Sequence, residues 1–332
     1  MRVHRGILPD IDAFRSVAIG NFDGVHLGHQ ELLRQCSSLA RTHGLSACAV
    51  TFEPHPKEFF SPKESVLARV NNRLDKVLDI ASCGIDEVFI MNFNRALADM
   101  GADEFVEKIL CHTLHAKWVS VGEDFHFGKK GSAGVSELRE LCAAFDIQVV
   151  ATPTILVDGI KVSSTSLRHA LAVGNMEAAR DLLGVRFHIT GQIIHGAALG
   201  RRLGYPTINM DALPTDAQGV PALRGVYAVY VHGLSDAPLK GVASITTKPT
   251  LGLEKKFLLE TNIFDYSDDC YGRYARIEFV SKLRDDKRFS NIEELKAAIS
   301  LDAMRAARIL SGPGCEPTLT NREIAAGSII FV

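Results

Sequence analysis

The sequence predicts an α/β protein in which a Rossmann-like parallel sheet is followed by an antiparallel β-barrel and a C-terminal helix. Up to about residue 184, continuous apolar runs alternate with amphipathic stretches, which is the pattern of parallel strands covered by helices on both faces. After residue 184, short strand-like runs follow one another with turn residues between them, as in a small barrel. We therefore expect a first domain over 1–184, a barrel domain over 185–310 and an appended tail over 311–332.

Each predicted element rests on a local run of residues. Apolar runs in the first domain predict strands over 17–19, 47–52, 87–91, 118–121 and 148–151. Amphipathic spacing predicts helices over 30–43, 73–82, 103–114, 135–144, 167–173 and 176–183. In the barrel domain we predict strands over 187–190, 192–195, 226–232, 241–245, 257–264 and 274–280, and a helix over 292–309. The apolar end of the tail, 328–332, is either a docked edge strand or an artefact of the reading frame.

Composition narrows the classes of protein that the chain can belong to. Of its 332 residues, 46% are hydrophobic and 23% are charged, with a net charge of −2, which argues against a general nucleic-acid binder. No apolar run reaches membrane-spanning length, and no apolar signal core follows the N-terminus. The seven cysteines are scattered without a C-x-x-C pair, so we expect buried, reduced thiols in a cytoplasmic protein.

The turn over 20–29 is the strongest functional signal in the sequence. It follows an apolar strand, carries glycines at 20, 24 and 28, and leads directly into a helix. Glycines let the backbone approach a ligand closely, and the free N–H groups of a helix N-terminus attract anions. His26 and His29 could both donate hydrogen bonds to one phosphoryl group. The alternatives are helix capping or packing, and a metal pair with Asp23 as a third ligand.

Three further loops of the first domain fit an anion or nucleotide site. The loops 52–56 and 122–128 follow predicted strands, and parallel strands present such loops at one edge of the sheet, together with the turn over 20–29. Ser163, Ser164 and Thr165 begin a helix that carries Arg168 in its first turn. Hydroxyl residues at this position are ordinary N-caps, but three of them beside an arginine are equally compatible with an anion site.

The barrel carries a second set of candidate residues. Gly196, Gly200 and Gly204 would open the backbone to the phosphates of a nucleotide. Thr207 and Asn209 offer the oxygen ligands that Mg²⁺ takes, although the segment can also be an ordinary loop between strands. Glu260 lies in an otherwise apolar strand. It is either a general base employed inside the barrel or a residue of the solvent face.

Together these motifs resemble those of the bacterial bifunctional riboflavin kinases/FMN adenylyltransferases, also called FAD synthetases, from about residue 4 to 310. His26-Leu27-Gly28-His29 is similar to the His-x-Gly-His signature of nucleotidyltransferases. The longer stretch that begins at Gly20 is more specific to this family than the short signature. The other matching segments of the first domain are 52–56, 122–128 and 163–168. Those of the barrel resemble flavokinases and are 191–196, 200–201, 204–209, 225–229 and 271–273.

The resemblance implies two reactions in series. The barrel would transfer the γ-phosphoryl group of ATP to the ribityl 5′-hydroxyl of riboflavin, with Mg²⁺ held by Thr207 and Asn209 and the hydroxyl deprotonated by Glu260. The first domain would then join FMN to the α-phosphorus of a second ATP and release FAD and pyrophosphate, with His26 and His29 as catalytic residues. It implies ATP and flavin contacts for adenylyl transfer at Gly20, Asn21, Phe22, Asp23, Gly24, Asp124, Phe125, Phe127, Ser163, Ser164, Thr165 and Arg168. It implies contacts for the kinase at Gly196, Gly200, Arg201, Gly204 and Pro206.

One barrel segment departs from the family pattern. Where the family has Asn-Ile-Gly-x-Arg-Pro-Thr, this chain has Thr246 in place of the glycine and Lys248 in place of the arginine. The Thr246 side chain narrows the space in which this loop could approach a ligand with its backbone. Lys248 cannot make the bidentate hydrogen bonds that an arginine makes. We therefore weigh an alternative in which the kinase barrel is weak or silent and acts as a flavin-binding or sensing module. A nucleotidyltransferase with another phosphorylated acceptor is a further alternative. We expect small-molecule partners, with neither nucleic acid nor a membrane.

Overall fold

The computed structural model describes residues 1–6, 13–61, 67–196, 200, 204–213, 219–249, 255–319 and 330–331. For 248–249, 255–256 and 330–331 it describes the backbone alone. By their internal contacts, Met1–Leu67, Lys76–Ser163 and Gly327–Val332 form a first compact unit, and Ala68–Asp75 and Ser164–Ala326 form a second. The helices that follow Ser163 thus belong to the second unit, and the functional boundary expected at residue 184 stays a prediction.

The strands and helices have the following bounds. The strands are β1 Arg2–Arg5, β2 Arg15–Ile19, β3 Ser46–Glu53, β4 Ala68–Arg69, β5 Glu87–Asn92, β6 Ala116–Gly122, β7 Gln148–Thr152, β8 Leu156–Val157, β9 Ile160–Lys161, β10 His188–Gln192, β11 Thr207–Asp211, β12 Val220–Pro221, β13 Gly225–His232, β14 Leu239–Pro249, β15 Lys255–Ile263, β16 Tyr274–Arg284 and β17 Ile330–Phe331. The α-helices are α1 Leu27–His43, α2 Pro56–Phe60, α3 Arg73–Ser82, α4 Arg95–Ala98, α5 Ala102–Glu104, α6 Val135–Ala143, α7 Ser164–Val173, α8 Met176–Leu183 and α9 Ile292–Ile309. A π-helix covers Phe105–Thr113, and a 3₁₀ turn covers Lys129–Gly131.

The first unit is built on a seven-stranded sheet in the order β17-β1-β5-β3-β2-β6-β7, in which every neighbouring pair is parallel. Its two faces are both buried, which explains the continuous apolar strands. Within β2, Val17 and Ile19 join one core cluster and Ala18 joins the other. The predicted parallel sheet covered on both faces is therefore confirmed. The outer strands β1 and β17 were not predicted as a pair, but the apolar end of the tail does dock as an edge strand.

The second unit contains a six-stranded antiparallel sheet in the order β10-β16-β13-β14-β15-β11, which confirms the predicted barrel architecture. The barrel closes where the Ile194 N–H donates to the Asn209 carbonyl at 2.8 Å. The predicted strand over 192–195 is wrong, since β10 ends at Gln192 and β11 supplies the sixth strand. Alternation of buried Ile208 and Met210 with polar residues is the strand signal that the glycines before it obscured.

A short segment from the middle of the first half of the sequence also belongs to the second unit. Within Ala68–Asp75, β4 pairs in parallel with β12, and the Ala222 N–H donates to the Arg69 carbonyl at 2.9 Å. The predicted C-terminal helix, α9, begins after the cap Asn291 and packs on β13 and β16 through Ala306 and Leu310. Among the described helices, none is both long and apolar enough to cross a bilayer.

The first residues of the tail are bound to a buried charge. The backbone N–H and hydroxyl of Thr318 both donate to Oε1 of Glu278, at 2.7 and 2.9 Å, and that carboxylate is fully buried. Its other oxygen lies 2.7 Å from Nε2 of His232. Arg186 donates to the Gly314 carbonyl at 2.8 Å. A buried carboxylate is costly unless it is hydrogen-bonded, so this part of the tail is integral to the second unit.

We expect Thr318→Val to lower the free energy of unfolding by about 1 to 3 kcal/mol, because it removes a hydroxyl hydrogen bond from a buried carboxylate. Urea titration followed by circular dichroism measures the loss. Thr42→Val is the matched control, since the Thr42 hydroxyl bonds a carbonyl at an exposed helix surface. Equal small losses in both variants would contradict a structural role for this segment.

Candidate functional site

The turn over 20–29 leaves the carboxyl end of β2, which lies between β3 and β6 near the middle of the parallel sheet. The Gly20 N–H donates to the Val50 carbonyl of β3 at 3.1 Å, which fixes the start of the turn. Gly24 has φ = 69°, a left-handed conformation that suits glycine, and Phe22 adopts φ = 46° with its side chain fully buried. The turn therefore delivers the backbone directly to the N-terminus of α1, where anions are favoured.

The two histidines of the turn stack on one another. Their ring centroids lie 3.7 Å apart with an interplanar angle of 14°. His26 is the N-cap of α1, and its Nδ1 accepts the His29 backbone N–H at 3.3 Å. A Cβ on Gly28 would lie 3.3 Å from that same Nδ1, so the glycine between the histidines leaves room for the stack. Helix capping, weighed as an alternative to a functional role, thus occurs together with the pairing of the rings.

The hydrogen bonds define the tautomers of both rings. Because Nδ1 of His26 accepts a proton, the neutral ring carries its hydrogen on Nε2. Nδ1 of His29 lies 3.0 Å from the Gly24 carbonyl, which can only accept, so neutral His29 has a bare Nε2. Burial lowers the pKa of His29 to about 4, although the Gly24 carbonyl and the charges of Asp23 and Asp124 act in the opposite direction. The ring is therefore neutral at pH 7 until an anion binds beside it.

The loop after β6 contributes to the same edge of the sheet. Its Asp124 is exposed and accepts a 2.8 Å hydrogen bond from Lys161, which holds the pKa of the carboxyl below its usual value. Phe125 and Phe127 stack with centroids 5.6 Å apart, but Phe127 is buried in the core and only Phe125 is half-buried. Phe127 therefore packs in the core against Phe125, and its contact with a ligand stays a prediction. Lys161 was not singled out from the sequence, because no local motif indicates that it pairs with Asp124, 37 residues away.

Asn21 has an unusual environment. Its backbone carbonyl accepts the Thr51 hydroxyl at 3.1 Å, while its side-chain oxygen is buried without a hydrogen-bond partner in the described part of the chain. An unpaired buried acceptor is costly, and a ligand donor would satisfy it. His55 in the predicted loop 52–56 instead caps α2, where its Nδ1 accepts the Lys57 N–H.

The hydroxyl cluster predicted over 163–165 is divided between the two units. Ser163 ends the first unit, and its neighbour Val162 has its carbonyl 3.9 Å from the position a Cβ on Gly28 would take. Ser164 begins α7 in the second unit, where Thr165 is exposed. In the same helix, Nε of Arg168 donates to the Ala68 carbonyl at 2.7 Å.

The barrel brings Asn209 and Glu260 together. They are directly opposite each other in the β11–β15 pair, and Ser244 is opposite Glu260 in the next pair, so three polar side chains form a row on one face. Leu259 and Thr261 on either side of Glu260 belong to the fully buried opposite face. Glu260 is thus half-buried on the outer face, and the interior position considered for it is wrong because strand alternation places its neighbours inside.

The glycines before β11 pack around this row. A Cβ on Gly196 would lie 2.5 Å from Cγ of Asn209, and one on Gly200 would lie 3.3 Å from Oγ1 of Thr207. Gly204 has φ = 88°, and the Pro206 carbonyl accepts from the Asn262 amide at 2.7 Å. Arg201, predicted as a kinase residue, lies outside the described residues. Ser244 was missed because its relevance depends on strand register, which no short motif reveals.

Each half of the chain matches a known protein family. A family model described as FAD synthetase matches residues 9–166, and one described as riboflavin kinase matches residues 183–310. The bifunctional riboflavin kinase/FMN adenylyltransferase of Escherichia coli strain K12 is 38% identical over 291 residues, which is 87% of this chain and 91% of that protein. The one of Pseudomonas fluorescens is 38% identical over 295 residues, covering 89% and 92%. A crystal structure titled macrolide-efflux protein, from Streptococcus pneumoniae, superposes with a TM-score of 0.71 and 29% identity, covering 90% of this chain and 96% of that one.

A nucleotidyltransferase sheet and a kinase barrel in one chain define a two-step transferase that makes flavin cofactors. This chain belongs to the family of bifunctional riboflavin kinases/FMN adenylyltransferases. It converts riboflavin to FMN with ATP, and then FMN to FAD with release of pyrophosphate. The alternative of a silent, flavin-sensing barrel is not favoured. Of the two departures from the family pattern, Thr246 is half-buried in β14, and the Lys248 side chain lies outside the described residues.

We expect the first unit to lose stability on acidification because of His29. Below pH 6.5 the unfolded ring takes up a proton, whereas the folded ring, with its pKa lowered to about 4, does not until the pH falls further. Acid therefore favours the unfolded state, by about 1 to 2 kcal/mol between pH 7 and pH 5. His29→Gln should lose that much less stability over this range. Urea titrations followed by fluorescence of Trp118, in the first unit, measure the difference. Parallel pH dependence of the two proteins would contradict a His29 ring that stays neutral in the folded protein.

Proposed function

We propose that adenylyl transfer takes place at the turn over 20–29 and riboflavin phosphorylation at the row of Asn209 and Glu260. The stacked histidines at the N-terminus of α1 carry the first assignment, because they join two imidazoles and a helix N-terminus at one end of a central strand. Imidazole donors and backbone N–H groups suit a triphosphate whose charge moves during reaction.

In the adenylyl transfer, a phosphate oxygen of FMN attacks the α-phosphorus of ATP. The bond from that phosphorus to the oxygen bridging the α- and β-phosphates breaks, and pyrophosphate leaves with the bonding electrons. No covalent bond to the protein is needed, so catalysis depends on positioning and charge stabilisation. His26 donates from Nε2. A bound polyanion raises the proton affinity of His29, which then donates from its own Nε2.

Other residues of the first domain complete the proposed ATP and flavin contacts. The glycines at 20 and 24, with Phe22 and Asp23, shape the backbone of the turn, and the unpaired Asn21 side-chain oxygen accepts a ligand N–H or O–H. Asp124 and Phe125 border the flavin and nucleotide, with Phe127 behind them. The residues proposed to grip the triphosphate are Ser163, Ser164, Thr165 and Arg168.

In the phosphorylation, Glu260 accepts the proton of the ribityl hydroxyl as its oxygen attacks the γ-phosphorus and ADP leaves. Within the described residues, the Glu260 carboxylate makes no hydrogen bond or ion pair, although it is half-buried and faces Asn209. An acceptor left open beside a phosphate-binding loop is suited to this role. The glycines at 196, 200 and 204, with Arg201 and Pro206, hold the nucleotide.

The donor set of this row also fits Mg²⁺. Thr207 and Asn209 supply neutral oxygens, Nδ2 of Asn209 is directed to the Thr207 carbonyl at 3.4 Å so that Oδ1 is left as an acceptor, and the missing Cβ of Gly196 keeps a cradle beside it. When bound, the ion would neutralise charge on the phosphates of ATP. The seven cysteines, all free thiols, support the proposal that the protein works in the reducing cytoplasm.

His29→Ala should lower the rate of FAD formation from FMN and ATP by about 100-fold or more, because it removes a donor to the transferring phosphate. Formation of FMN from riboflavin should stay within about twofold. Chromatography of the products from each flavin measures both. His43→Ala at the far end of α1 is the control and should change neither rate. Equal loss of both activities in the His29 variant would count against two separate sites.

Glu260→Gln should have the opposite effect. Loss of the general base should lower FMN formation by about 100-fold or more, while adenylylation of added FMN continues. Glu293→Gln, at an exposed position of α9, is the matched control. Retention of full riboflavin phosphorylation by the Glu260 variant would exclude this carboxylate as the base.

A further inference from the structure

We infer that Asp75, together with Asn72, is a positioning residue for riboflavin phosphorylation, although both lie within the region that matches the FAD synthetase family model. The inference rests on the kinase site proposed above. These two residues belong to the eight-residue segment Ala68–Asp75, which is part of the second compact unit together with the barrel.

The two side chains hold the backbone of one barrel residue, Thr190 in β10. The Thr190 N–H donates to both carboxylate oxygens of Asp75, at 2.9 and 3.1 Å. The Thr190 carbonyl accepts from Nδ2 of Asn72 at 2.8 Å. Asn72 also accepts the Asp75 backbone N–H at 2.8 Å, so the two side chains are fixed relative to each other. The Thr190 hydroxyl accepts from Nε of Arg276 at 2.9 Å, which leaves none of its polar groups to solvent.

The position of Thr190 explains why side chains are needed there. β10 is at one end of the six-strand order and pairs with β16 on one side only. In an extended strand, the N–H and C=O of alternate residues point to the same side. Four residues after Thr190, the Ile194 N–H closes the barrel by donating to Asn209. At Thr190 itself, Asn72 and Asp75 take the place that a neighbouring strand would fill.

The environment indicates a specific interaction rather than general packing. The Asp75 side chain is fully buried, and Asn72, Thr190 and Arg276 are nearly so. His188 on the same strand has Nε2 3.8 Å from the Asp75 carboxylate. Burying a carboxylate costs free energy unless donors surround it, so the fold fixes its position closely.

The held strand leads directly into the proposed kinase site. After β10 ends at Gln192, the chain passes through Ile194 to Gly196, where the backbone lies against the Asn209 side chain with no room for a Cβ. A shift of β10 by a fraction of an ångström would therefore alter the contact between the glycine loop and Asn209. Because that loop is proposed to hold the nucleotide, the expected consequence is weaker use of ATP in phosphorylation.

The test is steady-state kinetics of riboflavin phosphorylation and of FMN adenylylation with the full chain. Asp75→Ala should raise the KM for ATP in phosphorylation by about fivefold or more, because it leaves the Thr190 N–H without its charged acceptor. Asp75→Asn, which retains one acceptor oxygen, should change it by less than about threefold. Adenylylation of added FMN should stay within about twofold in both variants. Should Asp75→Ala fail to fold, Asn72→Ala removes the donor to the Thr190 carbonyl together with the acceptor of the Asp75 backbone N–H, and it should raise the same KM by about threefold.

Glu87→Gln is the matched control. It neutralises an equally buried carboxylate, one that pairs with Arg15 at 3.1 Å in the first unit, and should leave the KM for ATP in phosphorylation unchanged. Partial unfolding lowers the apparent kcat but leaves KM unchanged, so a rise in KM confined to the Asp75 and Asn72 variants supports positioning. An unchanged KM in Asp75→Ala and Asn72→Ala, equal loss of both activities, or the same rise in Glu87→Gln would overturn it. Asn209→Ala separates the two hypotheses. If it leaves phosphorylation intact, the proposed kinase site is wrong, whereas if it abolishes phosphorylation while the Asp75 variants are normal, only the positioning role fails.

Discussion

Backbone hydrogen-bonding groups at the edge of a sheet must find partners, and this constraint governs both units of the protein. In the first unit, β17 covers the outer edge of β1. In the second, one backbone bridge at Ile194 closes the barrel seam. Four residues earlier, at Thr190, the side chains of Asn72 and Asp75 bind the backbone groups that no strand pairs with. An unsatisfied buried N–H or C=O costs as much as a lost hydrogen bond or more. Residues distant in sequence are thereby drawn into each unit to complete it.

The two candidate sites share a second physical feature. In each, a glycine leaves a gap that the polar side chain of another residue fills. Gly28 makes room for the His26 ring, which allows the imidazoles to stack, and Gly196 makes room for the amide of Asn209. A methyl group at Gly28 would press on the His26 ring, to which we assign contact with phosphate, and one at Gly196 would displace the Asn209 amide, to which we assign Mg²⁺. The sequence pattern of glycines is therefore explained by side-chain placement as much as by backbone conformation.

Sequence reasoning captured the architecture because the periodicities are strong. The continuous apolar run over 17–19 and its counterparts predict buried parallel strands, and the turn residues after 184 predict the barrel. Local patterns could not predict pairings between distant residues. The pairing of β1 with β17, the register that places Ser244 opposite Glu260, and the contacts of Asp75 all depend on tertiary structure. Phe127 shows the same limit, since its motif suggested a ligand contact but did not reveal that the ring packs in the core.

The partnership of β1 with β17 also bears on biosynthesis. A ribosome makes β1 before, and β17 after, all the other described strands. At typical elongation rates, the outer edge of β1 therefore stays without this neighbour for tens of seconds on the nascent chain. An open parallel edge is a template for pairing with other chains, so the emerging first unit is most exposed to misassociation while the barrel is being synthesised.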